Sequence, residues 1–435
     1  MIVPLLLAAA VSLQDTTRLT LADAVRRALE NHPSVAAARD NQAAAQAAVG
    51  EARAPLLPHL AAAFSASQYK TGNIVYPLSG ISFTNLPIFN STLSQAALSL
   101  GYTLFDFGGR TSQLRLAEAQ ERRADAALDA TSANLIARVA DAYLRVLTTR
   151  GVLGAQEQEV TALQAEASRI AQVEAQGKAA HVEVLRLAAQ VSRARADEVE
   201  TRSQLDVAER DLAQLVALPA EIARTQLQPA QLVDTTVPDR AALIATAEQN
   251  SPEVAQARRA AEAATAGVGA ARSSLLPQLQ LNAAYVENGH SFTGYRPWWD
   301  AQLQLSYPIF TGGSRGSAIR LSEASARAAA EQLRAAQQAS ELSVDQALAT
   351  VAAARATVEA LVTAVAQSAE VERIRLLTLQ VGQGTETDYL DAEATLLSNR
   401  AALVQASNAE IAARIELARV TGVLTPEWLT RMVAQ

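Results

Sequence analysis

An internal duplication constrains this chain more than any other feature of its sequence. The segment NHPSVA at 31–36 recurs 219 residues later as NSPEVA at 250–255. Further along, the offset falls to 205, so that Phe105 corresponds to Phe310. A fixed long period indicates two copies of one structural unit. Copy one carries 14 more residues than copy two between about 60 and 100, which predicts a longer loop there.

The duplication predicts five divisions of the chain, two of them the repeats themselves. They are a signal segment or its remnant at 1–14, repeat one at 15–218, a proline-containing linker at 219–238, repeat two at 239–423 and a C-terminal segment at 424–435.

Each copy is dominated by a predicted helical hairpin of unusual length. After a glycine pair at 108–109 or 312–313, apolar residues keep helical spacing for about 67 residues. A turn then follows, near Gly177 in copy one and near Gly382 in copy two, and leads into a return helix of about 35 residues. The outgoing helix is roughly 100 Å long at 1.5 Å per residue. Helices of ordinary globular cores are much shorter, so we predict an elongated helical architecture.

Four stretches without a single Asp, Glu, Lys or Arg lie between the helices, although 19% of the chain is charged. Apolar and polar residues alternate within them, as Leu279 and Leu281 do with Gln278 and Gln280. This period of two predicts strands with one apolar and one polar face, of a length that suits a membrane. The predicted strands are about 59–69, 93–105, 277–286 and 300–310, joined by loops at about 70–92 and 287–298.

Aromatic residues gather in the same regions, where 15 of 18 fall between Phe64 and Phe107 or between Tyr285 and Phe310. Tyr and Trp concentrate at bilayer interfaces, so we interpret the strands as membrane strands. The alternative is a pair of soluble hairpins with aromatic cores. Because an open sheet edge cannot lie in lipid, four strands require other copies of the chain. Two copies would supply eight strands and three would supply twelve, with a wider bore.

The composition excludes several classes of function. A net charge of −7 with scattered basic residues leaves no footprint for nucleic acid. A chain without cysteine has no disulfide, no thiolate metal site, no cysteine nucleophile and no lipid-modified N-terminal cysteine. The four histidines are dispersed, and no glycine pair precedes the Lys-Ser or Lys-Thr of a phosphate loop. We therefore expect no enzyme, no cofactor and no metal site.

The first ten residues, MIVPLLLAAA, predict a signal segment, although no Lys or Arg precedes their apolar core. No later stretch offers the roughly 20 consecutive apolar residues of a membrane helix. Any passage through a membrane is therefore expected to use the strands.

With these features the chain resembles the TolC-type outer membrane efflux and secretion channels, also called outer membrane factors. The resemblance is carried by the Asn-x-Pro and Leu-Leu-Pro segments within 31–60, the strand-to-helix joints at 105–109 and 308–313, and the turn at 381–392. It implies a mainly α fold with a β-barrel contribution. Long antiparallel helices of a homotrimer would form an α-helical barrel in the periplasm, and twelve strands would form a barrel in the outer membrane. The short helices, the linker and the C-terminal segment would form an equatorial belt.

The resemblance also implies a function, that of a passive exit duct in a tripartite efflux or type I secretion system. Such a duct exports drugs, other small molecules or proteins, and its partners are a periplasmic adaptor and an inner-membrane transporter. The runner-up interpretation is a periplasmic coiled-coil scaffold, or an adaptor-like hairpin protein, without a pore. The uncharged alternating strands argue against it.

Asp388 and Asp391 are the principal candidate site residues. They are three residues apart at the start of a return helix and therefore share one face. On the residues alone, the simpler interpretation is a pair of acids at a helix N-terminus, where the helix dipole favours them. The resemblance instead implies a cation-selective periplasmic constriction of six carboxylates in a trimer. Glu183 is the copy-one counterpart of Asp388, and Arg186 replaces the second acid.

The tips of the two hairpins are the expected sites of adaptor docking. By the resemblance, the docking residues are Val381, Gly382, Gly384 and Thr385 in copy two, with Gly177 and Lys178 in copy one. The glycines also suit a plain turn that needs positive φ. A family channel carries an arginine at the position of Gly384, where it helps to hold the tip closed. This chain has none, so that latch does not transfer.

Overall fold

The computed structural model of the chain describes residues 19–74, 89–218, 227–233, 236–290 and 293–434. The predicted signal segment at 1–14 lies outside these residues, as do parts of the copy-one loop and of the linker. The helices are α1 (Leu21–Asn31), α2 (Pro33–Arg53), α3 (Gly109–Ala175), α4 (His181–Val216), α5 (Arg240–Asn250), α6 (Pro252–Ser273), α7 (Ser314–Gln380), α8 (Glu386–Val420) and α9 (Pro426–Met432). The strands are β1 (His59–Ile74), β2 (Phe89–Phe105), β3 (Gln231–Leu232), β4 (Gln278–His290), β5 (Thr293–Ser306) and β6 (Val433–Ala434).

The long helical hairpins confirm the duplication. The two outgoing helices, α3 and α7, have 67 residues each, and their return helices α4 and α8 have 36 and 35. The shorter helices α2 and α6 both begin at a proline, which fits the first turn of a helix because its missing N–H is not needed there. Prediction and structure therefore agree on the helical part of both repeats.

The chain divides into two compact units, of which the second contains Arg39–Ala127 and Ala255–Ala336. Its centre is one four-stranded antiparallel sheet with the order β1-β2-β4-β5. The hairpin of copy one thus pairs with the hairpin of copy two through β2 and β4. Within the described chain, β1 and β5 each have a single neighbour, so both edges of the sheet are free to pair.

The strand register separates the sheet into an apolar face and a polar face. On the apolar face Leu98 lies opposite Tyr285, which lies opposite Trp299. Residues of this face are exposed, including Leu60, Phe64, Leu303 and Leu305. On the polar face Gln280 pairs with Gln304, and Asn282 pairs with Gln302. Side chains that alternate with the pleat therefore give a surface suited to lipid and a surface suited to water.

The predicted loops of the sheet are too long. The strands β1, β2, β4 and β5 continue past the uncharged stretches and take up charged residues, namely Lys70, Glu287, Arg296 and Asp300. Absence of charge marks the apolar part of a strand, whereas backbone pairing does not depend on it and continues further. The opposite error occurs at the far end of β5, which stops at Ser306 and not at 310 because Pro308 cannot donate a ladder hydrogen bond.

The first unit contains Met1–Ala38, Leu128–Val254 and Gln337–Gln435. Its main core surrounds Tyr143 of α3, which is completely buried. The Tyr143 hydroxyl lies 2.8 Å from the carbonyl oxygens of both Leu19 and Gln228, so it ties α3 to two segments that are distant in sequence. Nearby, β3 of the linker pairs with β6 of the C-terminal segment. The two segments predicted to form a belt are therefore joined to each other.

One helix combines great length with an apolar composition. By length and composition alone α7 could cross a membrane, although no membrane helix was expected. The cause is a stretch rich in alanine and valine with few charges, of which 6% is buried in this chain. However, α7 has 67 residues, whereas roughly 20 residues are enough to span a bilayer.

Candidate functional site

The tips of the two long hairpins end in the same backbone motif. Gly177 and Gly382 follow α3 and α7 with φ values of 72° and 78°. In each tip the glycine N–H donates to the carbonyl oxygen three residues earlier, at 2.7 and 3.0 Å. The next N–H, of Lys178 or Gln383, donates to the carbonyl oxygen five residues earlier, at 3.0 and 2.9 Å. These are the two bonds of a Schellman motif, which favours glycine because L side chains strain a left-handed backbone.

The second glycine of the copy-two tip is required by a close approach. A Cβ atom on Gly384 would lie 2.8 Å from Oγ1 of Thr378 and 3.2 Å from the backbone N of Leu379. The Gly384 N–H also donates to the Thr378 carbonyl oxygen at 3.0 Å. A larger residue at this position would therefore have to displace the Thr378 hydroxyl and press against the backbone of Thr378 and Leu379.

Asp388 takes part in the N-terminal cap of α8. Thr385 is the N-cap residue, and its Oγ1 accepts the Asp388 N–H at 3.1 Å. A hydrogen bond from the Thr385 side chain lowers the pKa of Asp388 below its usual value. Desolvation opposes this effect, and the Thr385 backbone N–H and the positive charge of Arg375 contribute smaller lowering effects. Asp388 is thus held ionised at neutral pH in a capping-box arrangement.

This cap supports a prediction that uses copy one as its control. Replacing Thr385 with alanine should cost about 1 kcal/mol, because the first turn of α8 loses its side-chain acceptor. Copy one has Ala180 at the N-cap of α4, with extended backbone and no side-chain cap, and Glu183 three residues later. Ala180→Thr should therefore slow hydrogen exchange in the first turn of α4, whereas Thr385→Ala should speed it in α8. If each variant exchanged its first-turn amide hydrogens at the same rate as the unaltered protein, the cap would be contradicted.

The copy-one acid has a different electrostatic setting. Oε2 of Glu183 lies 2.9 Å from the Arg186 guanidinium, one turn along the same helix. The two side chains are about half exposed, so water screens the pair. In the same tip, Nδ1 of His181 lies 2.7 Å from Oε1 of Glu174. Lys178 and Val381, predicted to dock an adaptor, are both exposed. The copy-one tip therefore presents balanced charge, whereas the copy-two tip presents acids.

Two glutamates near the copy-two tip were missed from the sequence. Glu393 is partly buried, and burial followed by the charge of Glu372 on α7 raises its pKa above the usual value. Burial and the charges of both glutamates raise the pKa of Tyr389, which also hydrogen-bonds to Glu372. A sequence signal exists, because Glu372 and Glu393 lie nearly equally far from the turn on either side. Antiparallel helices bring such positions together, so the acidic character extends along the hairpin.

Asp391 lines a groove whose walls come from both hairpins. The groove is about 240 Å³ in volume and lies between α3, α4 and α8. Its charged lining residues are Glu159, Arg193, Asp197, Asp391 and Glu393. Four carboxylates thus accompany one guanidinium. Asp388, three residues away on α8, is exposed and does not line the groove, so the two predicted gate residues have different surroundings.

The described part of the chain offers no alternative chemical centre. No group of three or more His, Asp or Glu residues within it could hold a metal ion. A cavity of about 910 Å³ lies between α3, α4, α7 and α8 and carries both signs of charge. Arg145 in this cavity pairs with Asp141 at 2.8 Å, and Arg419 pairs with Glu416 at 2.8 Å. Ion-paired side chains of this kind are typical of a solvated surface.

Comparison with known proteins places this geometry in a family. The chain is 29% identical over 352 residues to protein CyaE of Bordetella pertussis, across 79% of this chain and 71% of the relative. It is 25% identical over 415 residues to the outer membrane protein TolC of Escherichia coli, across 91% and 81%. The fold is that of the outer membrane protein VceC from Vibrio cholerae, with a TM-score of 0.75 and 22% identity over 92% of this chain and 96% of that one.

The family model for the outer membrane efflux protein matches the chain twice, at residues 24–218 and 243–423. The two matches correspond to the two copies of the duplicated unit. Together they cover most of the sequence, including both long hairpins and all four strands of the large sheet. The chain belongs to the outer membrane efflux protein family, the TolC-type outer membrane factors that its sequence resembles.

Proposed function

We propose that the chain is one protomer of a homotrimeric outer membrane channel. The observation that carries this proposal is the four-stranded sheet, which has an exposed apolar face and two edges without a partner in the described chain. In a bilayer each unpaired backbone group costs several kcal/mol, so the edges of β1 and β5 must pair with other copies. Three copies supply twelve strands. Eight strands from two copies would leave an interior filled by side chains.

The channel serves as the passive exit duct of a tripartite efflux or type I secretion system. Small molecules, drugs or secreted proteins enter through the helical hairpins, and energy comes from an inner-membrane transporter. The scaffold alternative, without a pore, has no use for a sheet with one apolar and one polar face. The polar face of Gln280, Gln304, Asn282 and Gln302 suits a water-filled lumen.

Fractionation of cell envelopes tests the proposal. The protein should remain with the outer membrane after washes with high salt or carbonate and should leave it only in detergent. The extracted protein should have the mass of three chains, each of 45.9 kDa plus bound detergent. A monomer released by salt would support the scaffold and end the channel proposal.

We propose further that Asp388 and Asp391 form the cation-selective ring at the periplasmic entrance. The exposed position of Asp388 and its lowered pKa support a permanent negative charge there. Three copies would place six such carboxylates around one bore, which concentrates cations and repels anions. Glu183 contributes less in this proposal because Arg186 offsets its charge.

The ring predicts a large change in selectivity. Asp388→Asn combined with Asp391→Asn should reduce the cation preference of single channels and weaken block by multivalent cations, because six charges are removed. Asparagine keeps an oxygen that can accept a capping hydrogen bond, so the first turn of α8 should persist. Glu183→Gln is the matched control and should change selectivity little. Reversal potentials in a salt gradient measure both, and unchanged values in the double variant would reject the ring.

We also propose that a periplasmic adaptor docks on the two tips. The proposed contact residues are Val381, Gly382, Gly384 and Thr385 with Gly177 and Lys178. Five of these residues are exposed and Gly384 is partly buried, and the Schellman turns hold both tips in a defined shape, which supports a preformed docking surface. A photo-crosslinking residue in place of Val381 should capture the adaptor in intact cells. The same residue at Val207, which is exposed on α4 far along the chain from the tip, is the control. Equal capture at both positions would contradict docking at the tip.

A further inference from the structure

The corner between strand and long helix has the same backbone in both copies but different residues. In copy two, Gly312 and Gly313 have φ values of 61° and 78°. In copy one, the equivalent residues are Phe107 and Gly108, with φ values of 52° and 89°. The corner therefore needs two successive left-handed residues. Copy two uses glycine for both, whereas copy one places a phenylalanine in the first position.

Backbone preference cannot explain this phenylalanine. A left-handed conformation strains any L residue and is uncommon for a bulky one, whereas glycine adopts it freely. The internal repeat shows that glycine builds the same corner. Strain that persists where a simpler residue would serve points to a function of the side chain.

Hydrogen bonds between residues on either side of Phe107 hold the corner in place. The Asp106 carboxylate, which is mostly buried, accepts the Arg110 backbone N–H at 2.7 Å and Arg110 Nε at 3.1 Å. The other Asp106 oxygen accepts the Gly108 N–H at 3.3 Å. Arg110 in turn donates to the Pro55 carbonyl oxygen at 2.9 Å. In copy two Thr311 replaces Asp106, so this carboxylate clamp belongs to the strained corner alone.

The clamp directs the ring outward beside the apolar end of β2. The rings of Phe105 and Phe107 meet edge to face with their centroids 4.5 Å apart, and 51% of Phe107 is exposed. Phe105 is the last residue of β2 and is also exposed. In copy two, Ile309 and Phe310 are exposed at the equivalent joint. Aromatic and aliphatic side chains thus mark the level at which the apolar strands end and the helices begin.

We propose that Phe107 is a lipid anchor whose ring lies at the headgroup boundary of the leaflet on the helical side of the barrel. This inference rests on the proposed outer membrane channel. Phospholipid is the occupant that fits, because the ring continues an uncharged apolar strand face and aromatic residues flank the apolar band of outer-membrane barrels. The anchor fixes the depth of the barrel, and the Asp106 clamp holds the ring at that level.

A single spin label tests the anchor, and the absence of cysteine makes the label unique. Phe107→Cys carries a nitroxide in the assembled protein reconstituted into phosphatidylethanolamine–phosphatidylglycerol vesicles. Collisions with oxygen, which concentrates in lipid, should exceed collisions with a water-soluble nickel chelate severalfold. A label reached mainly by nickel would show a water-exposed loop, and a label reached by neither would show packing against another copy. Both outcomes overturn the proposal.

A control separates this outcome from failure of the channel itself. A label at Leu303→Cys, on the exposed apolar face of β5, reports whether the sheet lies in lipid at all. Lipid exposure at Leu303 with water exposure at Phe107 rejects only the anchor, whereas water exposure at both rejects the membrane sheet.

A pair of substitutions guards against a misfolded label variant. Phe107→Gly should fold, because copy two builds the same corner with Gly312. Phe107→Trp adds one indole to the three tryptophans of the chain, so the difference between the two spectra isolates the ring. Brominated phospholipid should quench the added emission strongly and aqueous iodide should quench it weakly. The reverse pattern would contradict the anchor.

Discussion

Replacing Gly422 with alanine should destabilise the first unit more than any other glycine substitution in the described chain. Gly422 follows α8 with a φ of 73°, and its Cβ would lie 2.0 Å from the carbonyl oxygen of Asn250 and 2.8 Å from the backbone N of Ser251. Both neighbours are backbone at the joint of α5 and α6, so they cannot rotate away. We expect roughly 1–3 kcal/mol from the left-handed conformation and a similar amount from overpacking.

Two other glycines provide a graded control for Gly422→Ala. Gly177 has a φ of 72° but nothing within 4 Å of its Cβ position, so Gly177→Ala should show strain without a clash. Gly154 lies within α3 and also has open space, so Gly154→Ala should stabilise the helix by up to about 1 kcal/mol. Thermal unfolding in detergent, followed by circular dichroism, should give the lowest melting temperature for Gly422→Ala, an intermediate one for Gly177→Ala and the highest for Gly154→Ala. A melting temperature for Gly422→Ala equal to that of Gly154→Ala would contradict the close approach.

Arg414→Leu should cost about 3–5 kcal/mol of unfolding free energy, because it leaves a buried carboxylate without its countercharge. Arg414 and Glu410 are one turn apart on α8 and are 4% and 8% exposed. The guanidinium approaches Oε1 of Glu410 at 2.9 and 3.1 Å. The cost arises from the uncompensated charge, since the net contribution of an intact buried pair is small.

A second substitution distinguishes the effect of losing the ion pair from the effect of leaving one buried charge without a partner. Arg414→Leu combined with Glu410→Leu should recover much of the stability, because the Glu410 carboxylate is no longer left buried without a countercharge. Arg334→Leu is the exposed control, since Arg334 and Glu331 form a similar pair on α7 in contact with water. It should change the melting temperature little. A double variant as unstable as Arg414→Leu would mean that packing, and not charge, explains the loss.

The helical half of the fold could be predicted because its signals are local and repeated. Glycine pairs and prolines mark where helices begin, and apolar spacing continues without interruption for 67 residues in α3 and α7. The strands were harder to delimit because the loss of charge marks the apolar face and not the end of backbone pairing. Glu287 and Arg296 therefore lie within β4 and β5.

The candidate site shows the same division. The two aspartates and the glycine turns follow from spacing and the duplication, whereas their surroundings depend on contacts between helices. Sequence spacing alone does not reveal that Asp391 shares a groove with Glu159 and Asp197 of the other hairpin. Nor does it reveal that Gly384 is crowded by the backbone of Leu379.

The most direct test of the channel is conductance across a planar bilayer. The detergent-extracted assembly, added to one side in a potassium chloride gradient, should produce discrete conductance steps, and their reversal potential should show a preference for potassium. The conductance steps would support an open lumen, and the preference for potassium would support an acidic entrance. An assembly of three chains that produces no steps, or steps that prefer chloride, would contradict the account.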